Sequence, residues 1–353
     1  MEPNLLPGFL FLIIGAICGG SFGLPSKYAG KDTPWEVLWG PFFFFVTILI
    51  PATVAPLVVK DLGGVYAEAG SDTILTVAAF GLLWGLGSMT LGKAFAFIGL
   101  SLAYALNYGA QIVTGSMVPM AIHNPDHMLK SHGVVIIAGV AVCVVGVIVA
   151  GRAGILKERS LKQDAAGSGA GGSPTAGKSP KMLIGVIIGV VSGVLCACWA
   201  IASGYAGPIN AAAARHNPAW ASSWAFTAII LWGGAVSACL YCVVQLTVNR
   251  TWDRLAEPGI GKILLLALVM AILHDAAVLF FGLAWINLGE LGVSVGYAAF
   301  MSFAIIVGNF HGFRTGEWKG AGRQSIAWIL SGIAILIVGV CILAKGNAMA
   351  AGG

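Results

Sequence analysis

Residues 80–116 read FGLLWGLGSMTLGKAFAFIGLSLAYALNYGAQIVTGS, and this passage contains two apolar segments that meet at a short break near Gly99. Part of the passage is echoed later in the chain. AFAFIGLSLAYAL from Ala94 has a weak counterpart in AWINLGELGVSVG from Ala284, at an ungapped offset of 190 positions. A recurrence at fixed register indicates that one half of the chain is a diverged copy of the other.

A second echo fixes how the two copies align. GVAVCVVGVIVAGRAG from Gly139 resembles GIAILIVGVCILAKG from Gly332, and each segment has glycines seven positions apart. The chain is therefore interpreted as a duplicated unit of five membrane-spanning segments. Duplicated transporters of this kind place the substrate site where the two copies face each other.

The composition places the chain in a lipid bilayer. Hydrophobic residues make up 58% of its 353 residues and charged residues only 9%, which leaves too little polar surface for a soluble globule of this length. The apolar runs are too long for membrane β-strands and do not alternate as a barrel requires. The net charge of +5 comes from residues between the apolar runs, so it indicates topology and no nucleic-acid partner is expected.

Ten segments are long enough to cross hydrocarbon about 30 Å thick as helices. They run near 5–25, 35–58, 73–97, 100–123, 133–151, 182–206, 219–248, 261–287, 291–313 and 325–345. The predicted fold is an all-α integral membrane protein with ten transmembrane helices in two inverted five-helix repeats. The repeats comprise residues 1–158 and 182–353, and the Gly- and Ser-rich residues 159–181 between them are predicted to be a flexible cytoplasmic linker.

The distribution of basic residues predicts the orientation. Fifteen of the 19 Lys and Arg residues fall on one side of the predicted spans, and the other side has only Lys60, Lys130, Arg215 and Lys345. The positive-inside rule then puts both termini outside the cytoplasm. Because five spans per copy is an odd number, the second copy enters the membrane in the opposite direction from the first. No Lys or Arg precedes the first apolar run, so that run is interpreted as a retained helix and not as a signal peptide.

One acidic residue lies near the centre of a predicted span. A charged side chain at that depth costs about 2.5 to 3.5 kcal/mol on insertion scales, so it requires a partner or a wet cavity. Asp275 is that residue, whereas Lys93 can reach an interface and Glu290 lies at a predicted outer turn. Asp275 is the candidate for proton uptake and release, and the neighbouring His274 is a second candidate. The alternative is a buried pair with a purely structural role.

The fourth predicted span has a polar and aromatic stripe. Tyr104, Asn107, Tyr108 and Gln111 recur at i, i+3, i+4 and i+7, so they share one helix face. Amides that donate and accept hydrogen bonds, together with flat rings, suit a polyhydroxylated substrate. The alternative is that the stripe joins helices through interhelical hydrogen bonds.

The offset of 190 relates the stripe to the second copy. It matches Asn107 with Tyr297 and Trp84 with His274, so polar or aromatic groups are expected to face each other from both copies. Three further substrate-binding candidates complete the set. They are Ser88 on the third span and Trp199 and Tyr205 on the sixth.

Metal binding is not expected. Three histidines near Asp126 are interpreted as solvated loop residues in preference to metal ligands, and these are His123, His127 and His132. All seven cysteines fall in apolar segments, and the C-x-x-C of Cys239 and Cys242 has no partner pair. No cofactor is predicted.

Four segments carry a resemblance to a known family. They are LLWGLGSMTLG from Leu82, FIGLSLAYALNYG from Phe97, GRAGILKERSL from Gly151 and EWKGAGR from Glu317, with weaker support from Trp35-Glu36. The chain resembles the L-rhamnose-proton symporter family of the drug/metabolite transporter superfamily over nearly its whole length. The last two segments are predicted to lie at helix termini and inner-gate contacts.

The resemblance implies ten helices in two inverted repeats and proton-driven import of a 6-deoxyhexose, with L-rhamnose as the expected sugar, across a bacterial inner membrane. The chain departs from the family pattern at His274 and Asp275, which leaves open a different sugar or a relocated proton site. The expected partners are the sugar, the proton and the lipid bilayer, and the oligomeric state stays open.

Two other classes of function are alternatives. A metabolite exporter or facilitator of the same superfamily would show no sugar-induced alkalinisation. A membrane enzyme requires convergent catalytic groups such as H-E-x-x-H or paired aspartates, and a sensor normally has a soluble output domain. The sequence has neither feature, so the chain is predicted not to be an enzyme.

Overall fold

The computed structural model describes residues 5–30, 32–123, 125–167, 180–288 and 296–351. Within these ranges the chain is helical and has no β-strand. The described part has eight helical stretches that are long and apolar enough to cross a membrane, which confirms the prediction of an all-α integral membrane protein. These stretches are 5–28, 35–58, 71–122, 131–161, 182–205, 219–248, 260–284 and 323–349.

Thirteen α-helices are numbered here in chain order within the described ranges. They are α1 (Leu5–Ser21), α2 (Trp35–Phe44), α3 (Ile50–Val58), α4 (Leu62–Ala69), α5 (Ser71–His123), α6 (Ser131–Gly167), α7 (Pro180–Cys196), α8 (Cys198–Tyr205), α9 (Gly207–Ala214), α10 (Ala219–Val248), α11 (Ile260–Leu288), α12 (Tyr297–Arg314) and α13 (Arg323–Ala351). A π-helical turn over Phe45–Leu49 joins α2 to α3, so Pro41, Pro51 and Pro56 are accommodated within one continuous span.

Helix α5 turns back on itself at Gly99. This residue has φ 80° and ψ 170°, a conformation that glycine tolerates and other residues rarely adopt. Residues before it pack antiparallel to α7, because Gly87 faces Cys196 and Ile98 faces Gly185.

Residues after Gly99 run parallel to α7, because Leu106 faces Gly189 and Ala110 faces Gly193. The two arms of α5, residues 71–98 and 100–123, therefore run in opposite directions. The break that the sequence predicts near Gly99 is confirmed.

Helices α6 and α13 pack antiparallel along most of their length. In the facing pairs, one residue number rises as the other falls. The pairs are Ile136 with Gly346, Gly139 with Leu343, Cys143 with Gly339, Gly146 with Leu336 and Ala150 with Gly332. These helices contain the two glycine-spaced echoes, so the echoed segments pack directly on each other. Small residues at the contact let the two backbones approach closely.

One end of the bundle is rich in basic residues. Gly99 lies there beside Glu317, which pairs with Lys27, and Lys157 lies over the ring of Trp318. We call this the basic end. The described chain starts and finishes at the opposite end, because Gly8 packs on the last residue of α11 and Gly346 packs near the start of α6.

Helix α1 packs against α11 and α12 through glycines. A Cβ atom at Gly20 would lie 2.6 Å from the carbonyl oxygen of Ala304, and one at Gly15 would lie 3.2 Å from that of Ala277. Helices α4 and α9 contact each other at the end opposite the basic end, where Glu68 forms an exposed ion pair with Arg215. The α1 contacts bring the first span against α11, the helix that carries Asp275.

The predicted linker falls largely outside the described residues. Helix α6 continues to Gly167 and α7 begins at Pro180, and residues 168–179 between them are not described. Glu290 is also outside the described ranges. The division into two five-helix units therefore stays a prediction.

Candidate functional site

Asp275 lies midway along α11 and is buried, with 5% of its surface exposed. Its Oδ1 atom is 3.0 Å from Nδ1 of His274, and its Oδ2 atom has no hydrogen-bond partner among the described residues. When the carboxylate is ionised, the Nδ1–H group of His274 is the donor. Although adjacent residues project about 100° apart on a helix, these two side chains reach each other.

The ring of His274 lies within an aromatic cluster from five helical segments. We define the aromatic cluster as Phe22, Phe42, Trp84, Trp199 and His274. The centroid of the His274 ring lies 5.5 Å from the ring centroid of Phe22, 6.3 Å from that of Phe42 and 5.7 Å from that of Trp84. Trp84 in turn meets Trp199 edge to face at 5.3 Å. Flat rings around one acid–imidazole pair can bind the C–H face of a sugar beside a proton site.

A hydrogen-bonded chain runs from α5 to α7, close to Trp84. Gln111 donates to Oδ1 of Asn107 at 2.6 Å, and Nδ2 of Asn107 donates to Oγ of Ser192 at 2.7 Å. Ser192 donates in turn to the carbonyl oxygen of Gly87 at 2.8 Å. Asn107 is fully buried, so these bonds hold the two arms of α5 against α7.

The two tyrosines of the stripe face α1 instead. The hydroxyl of Tyr104 accepts a hydrogen bond from the Gly23 N–H at 3.0 Å, and that of Tyr108 donates to the Gly19 carbonyl at 2.9 Å. Tyr104 is fully buried and lies edge to face with Phe22 at 5.9 Å. The stripe therefore divides: its tyrosines contact α1, and its amides contact α7.

The remaining predicted residues lie in different places. Ser88 is buried one turn beyond Trp84 on α5, and Tyr205 stacks on Phe80 at 5.6 Å. The backbone of Tyr297 begins α12, but its side chain lies outside the described residues. The structure thus brings Trp84, Trp199 and His274 together and leaves the side chain of Tyr297 unplaced.

Sequence reasoning missed Phe22 and Phe42 of the cluster. Both are aromatic residues within apolar segments, so no periodicity distinguishes them from residues that face lipid. Ser192 was missed for a related reason, because a single serine in a glycine-rich helix gives no signal. Only the three-dimensional packing shows that these residues adjoin the site.

Two buried carboxylates connect elements at the basic end. Oε1 of Glu36 accepts hydrogen bonds from Asn249 and Thr251, both at 2.9 Å, and Lys93 lies over the ring of Trp35 at 4.1 Å.

The second carboxylate, Glu317, accepts from the backbone N–H groups of Leu100 at 2.7 Å and Ser101 at 3.0 Å. The Glu317 segment lies between the end of α12 and the start of α13, as predicted, whereas the prediction was wrong for the segment from Gly151, which lies inside α6 because its helix-favouring residues continue that helix. The Glu317 carboxylate caps the start of the second arm of α5.

The described residues contain no group of three or more His, Cys, Asp or Glu side chains placed to hold a metal ion. The side chains of His123 and His127 lie outside the described residues, so the loop that contains Asp126 is only partly described. All seven cysteines are free thiols.

One protein-family model matches almost the whole chain. A model described as L-rhamnose-proton symport protein (RhaT) matches residues 1–351. The chain belongs to the RhaT family. Because a symport protein moves solutes across a membrane, the family is one of transporters and not of enzymes. The RhaT match covers both arms of α5, the aromatic cluster and the carboxylates at the basic end.

Curated relatives agree with this assignment. The chain is 24% identical to an L-rhamnose-proton symporter of Mannheimia succiniciproducens, 25% to one of Salmonella paratyphi A and 26% to one of Pectobacterium atrosepticum. Each alignment covers 99% of this chain and 100% of the relative. The protein is thus a multi-pass membrane transporter of a bacterial family.

Proposed function

We propose that this RhaT-family protein imports L-rhamnose together with protons by alternating access. The relatives named above are L-rhamnose-proton symporters, and their similarity extends over the whole length of the chain. The observation that carries the proposal for this chain is buried Asp275, midway along α11 and paired with His274, whose ring contacts three aromatic side chains. A buried acid with one oxygen unpartnered suits a group that gains and loses a proton during transport.

The proposed architecture is ten transmembrane helices in two inverted repeats, residues 1–158 and 182–353, joined by a flexible linker over 159–181. The eight long apolar stretches become nine spans when the reversal at Gly99 divides α5 into two. Helix α12, which is not among the eight, supplies the tenth. The antiparallel packing of α6 on α13 supports the inversion, because these helices contain the echoed glycines. Two oppositely inserted repeats allow one site to face either side of the membrane in turn.

We place the basic end in the cytoplasm and both termini in the periplasm. The positive-inside rule supports this orientation, since 15 of the 19 Lys and Arg residues fall on the predicted cytoplasmic side. The described chain also starts and finishes at the end opposite the basic end. The expected location is the inner membrane of a bacterial cell.

Asp275 is the proposed proton carrier, and His274 holds its carboxylate in place. The sugar and a proton enter from the periplasm, and the protonated site loses the charge that would make its movement costly. One proton that crosses about 100 mV releases roughly 2.3 kcal/mol. At about 1.4 kcal/mol per tenfold, this energy supports a sugar gradient of about fiftyfold.

We place the sugar site at the aromatic cluster. The rings of Trp84 and Trp199 would contact the C–H faces of the sugar, and Ser88, Asn107 and Gln111 lie close by on α5. Tyr297 is proposed as the contribution of the second repeat. Tyr104 and Tyr108 hold α1 against this site through hydroxyl contacts with its backbone.

The test uses purified protein in liposomes with an imposed pH gradient. We expect L-rhamnose to accumulate and each addition of L-rhamnose to alkalinise the proton-rich side. Thermal-shift screening against other deoxyhexoses, hexoses and pentoses ranks the candidate sugars independently of transport. Uptake without proton movement would contradict symport and favour the facilitator or exporter function. A larger thermal shift with another sugar would replace L-rhamnose as the substrate.

A further inference from the structure

Glu317 has an arrangement that the proposed sugar and proton site does not explain. Its side chain is only 7% exposed and lies between α12 and α13, yet its ion-pair and hydrogen-bond partners among the described residues lie in the first half of the chain. The carboxylate accepts from the N–H groups of Leu100 and Ser101, and Oε1 is 2.7 Å from Nζ of Lys27. One buried carboxylate therefore joins the loop after α12, the start of the second arm of α5 and the end of the first span.

The backbone around Glu317 is shaped to admit this carboxylate. A Cβ atom at Gly99 would lie 2.7 Å from Cδ of Glu317, and one at Gly312 would lie 2.8 Å from its Oε2. Gly99 also has a positive φ, which frees the first N–H groups of the second arm to point at the carboxylate. The helix dipole and two charge-assisted hydrogen bonds favour an anion at this position.

Neighbouring polar contacts join the same three elements. Oγ of Ser21 lies 2.8 Å from Nε2 of His311, which connects α1 to α12. The hydroxyl of Ser101 donates to Oδ1 of Asn309, which connects α5 to α12. The ends of α1 and α12 and the start of the second arm are thus held together by side chains with Glu317 among them.

The opposite end of the bundle has a different kind of link. There the ion pair of Glu68 with Arg215 joins α4 to the residue after α9, and both side chains are largely exposed, at 45% and 60%. An exposed ion pair contributes little to stability. A buried carboxylate with three donors is stronger and is costly to break, because its hydrogen bonds cannot be replaced until water enters.

We propose that Glu317 is a latch that holds the basic end closed. This inference rests on the transport function proposed above, since a passage toward the cytoplasm must open between these elements once per cycle. Opening requires the carboxylate of Glu317 to release Leu100 and Ser101, and the ends of α1 and α12 then separate from α5. Lys27 is a positioning residue that keeps the carboxylate directed at the helix start.

The test is hydrogen–deuterium exchange measured by mass spectrometry on the purified full-length protein without sugar. The variant is Glu317→Gln, which keeps the size of the side chain and removes its charge. The matched control is Glu257→Gln, because Glu257 also loses an ion pair, with Arg254, but its side chain is 47% exposed. Peptides are followed in three places, residues 20–28, 100–106 and 308–315.

We expect Glu317→Gln to speed exchange at least about tenfold in all three places together, and Glu257→Gln to leave them unchanged. Peptides from α6 and α13 should keep their protection, which separates opening of one end from general unfolding. Faster exchange at residues 100–101 alone would make Glu317 a simple helix cap and would overturn the latch, as would unchanged exchange.

A second variant keeps the proposal testable if Glu317→Gln does not fold. Lys27→Gln retains the carboxylate but removes its cationic partner, so a smaller rise, roughly threefold, is expected in the same three places. Unchanged exchange in Lys27→Gln would then overturn the latch. The exchange experiment contains no sugar, so its outcome is independent of the symport test. If the wild type failed to transport L-rhamnose, the proposed function would be contradicted, but the exchange result would still hold.

Discussion

The rings of Trp84 and His274 are in contact, with centroids 5.7 Å apart, although 190 positions separate the two residues in the chain. That separation equals the offset of the first echo, which runs from Ala94 to Ala284. Residues related by a twofold axis touch each other only near the axis itself. The contact therefore supports an aromatic cluster located where two repeats face each other, which is the expected place for a substrate site.

The first prediction concerns the ring of Trp84. Trp84→Ala removes a face that contacts both Trp199 and His274, so we expect the half-saturating L-rhamnose concentration to rise about three- to tenfold. The measurement is the concentration dependence of uptake into liposomes. Trp220→Ala is the control, because Trp220 lies at the start of α10 and is 40% exposed. Equal half-saturating L-rhamnose concentrations in Trp84→Ala and Trp220→Ala would exclude Trp84 from the sugar site.

The second prediction concerns the Asn107 chain of hydrogen bonds. Asn107→Ala leaves Gln111 without its acceptor and Ser192 without its donor, so we expect a loss of stability of roughly 1 to 3 kcal/mol. Thermal melts in detergent measure it. Thr53→Ala is the control, since Thr53 is exposed and bonds only within its own helix. The double variant with Ser192→Ala should cost less than the sum of the single variants. Additive losses would contradict the coupling.

The third prediction concerns the contact between α6 and α13. A methyl group at Gly339 would lie 2.6 Å from Sγ of Cys143 and 2.9 Å from its backbone nitrogen, which cannot move aside. Gly339→Ala should therefore lower stability by about 1 to 3 kcal/mol. Gly207→Ala is the matched control, because nothing lies within 4 Å of a Cβ atom there. A melting temperature equal to that of the control would mean that the two helices pack less closely than described.

The fourth prediction concerns orientation in the membrane. Alkaline phosphatase, which is active only in the periplasm, should be active when fused after residue 351. The same enzyme inserted within residues 168–179 should be inactive, because the basic side belongs in the cytoplasm. A fluorescent protein that folds only in the cytoplasm should give the reverse pattern. Reversed activities at both sites would contradict the proposed orientation.

The sequence predicts the apolar part of each span well, but it does not predict how far a helix continues into polar residues. Residues 35–58 and 219–248 coincide with the spans in the structure, because Pro34 and Pro218 mark their starts. Helix α6 was predicted to end near residue 151 but continues to Gly167. The additional turns beyond the apolar run contain Leu, Lys, Glu, Arg and Ala. These residues favour helix even where the sequence is no longer hydrophobic. The short helices α4 and α9 were missed because neither has a long apolar run.

The site is predictable one helix at a time but not between helices. Periodicity predicts that Tyr104 and Asn107 share one face of α5, yet it cannot show that the tyrosine contacts α1 and the amide contacts α7. The contact of Glu317 with Leu100 spans 217 positions and depends on a backbone turn at Gly99. No local pattern in the sequence connects them, although each lies in a segment that carries the family resemblance.

The proposed mechanism requires Asp275 to carry the proton. Asp275→Asn preserves the size of the side chain and its position beside His274 but cannot exchange a proton at physiological pH. The variant should therefore still exchange bound sugar across the membrane while losing the energy of the pH gradient. Asp253→Asn is the matched control, since Asp253 lies in the exposed turn between α10 and α11.

The most direct measurement compares two assays of Asp275→Asn in liposomes, L-rhamnose accumulation against a pH gradient and L-rhamnose exchange without a gradient. We predict that accumulation falls to the level of protein-free liposomes while exchange continues, and that Asp253→Asn behaves as the wild type in both assays. Accumulation by Asp275→Asn at the wild-type level would contradict the assignment of the proton to Asp275.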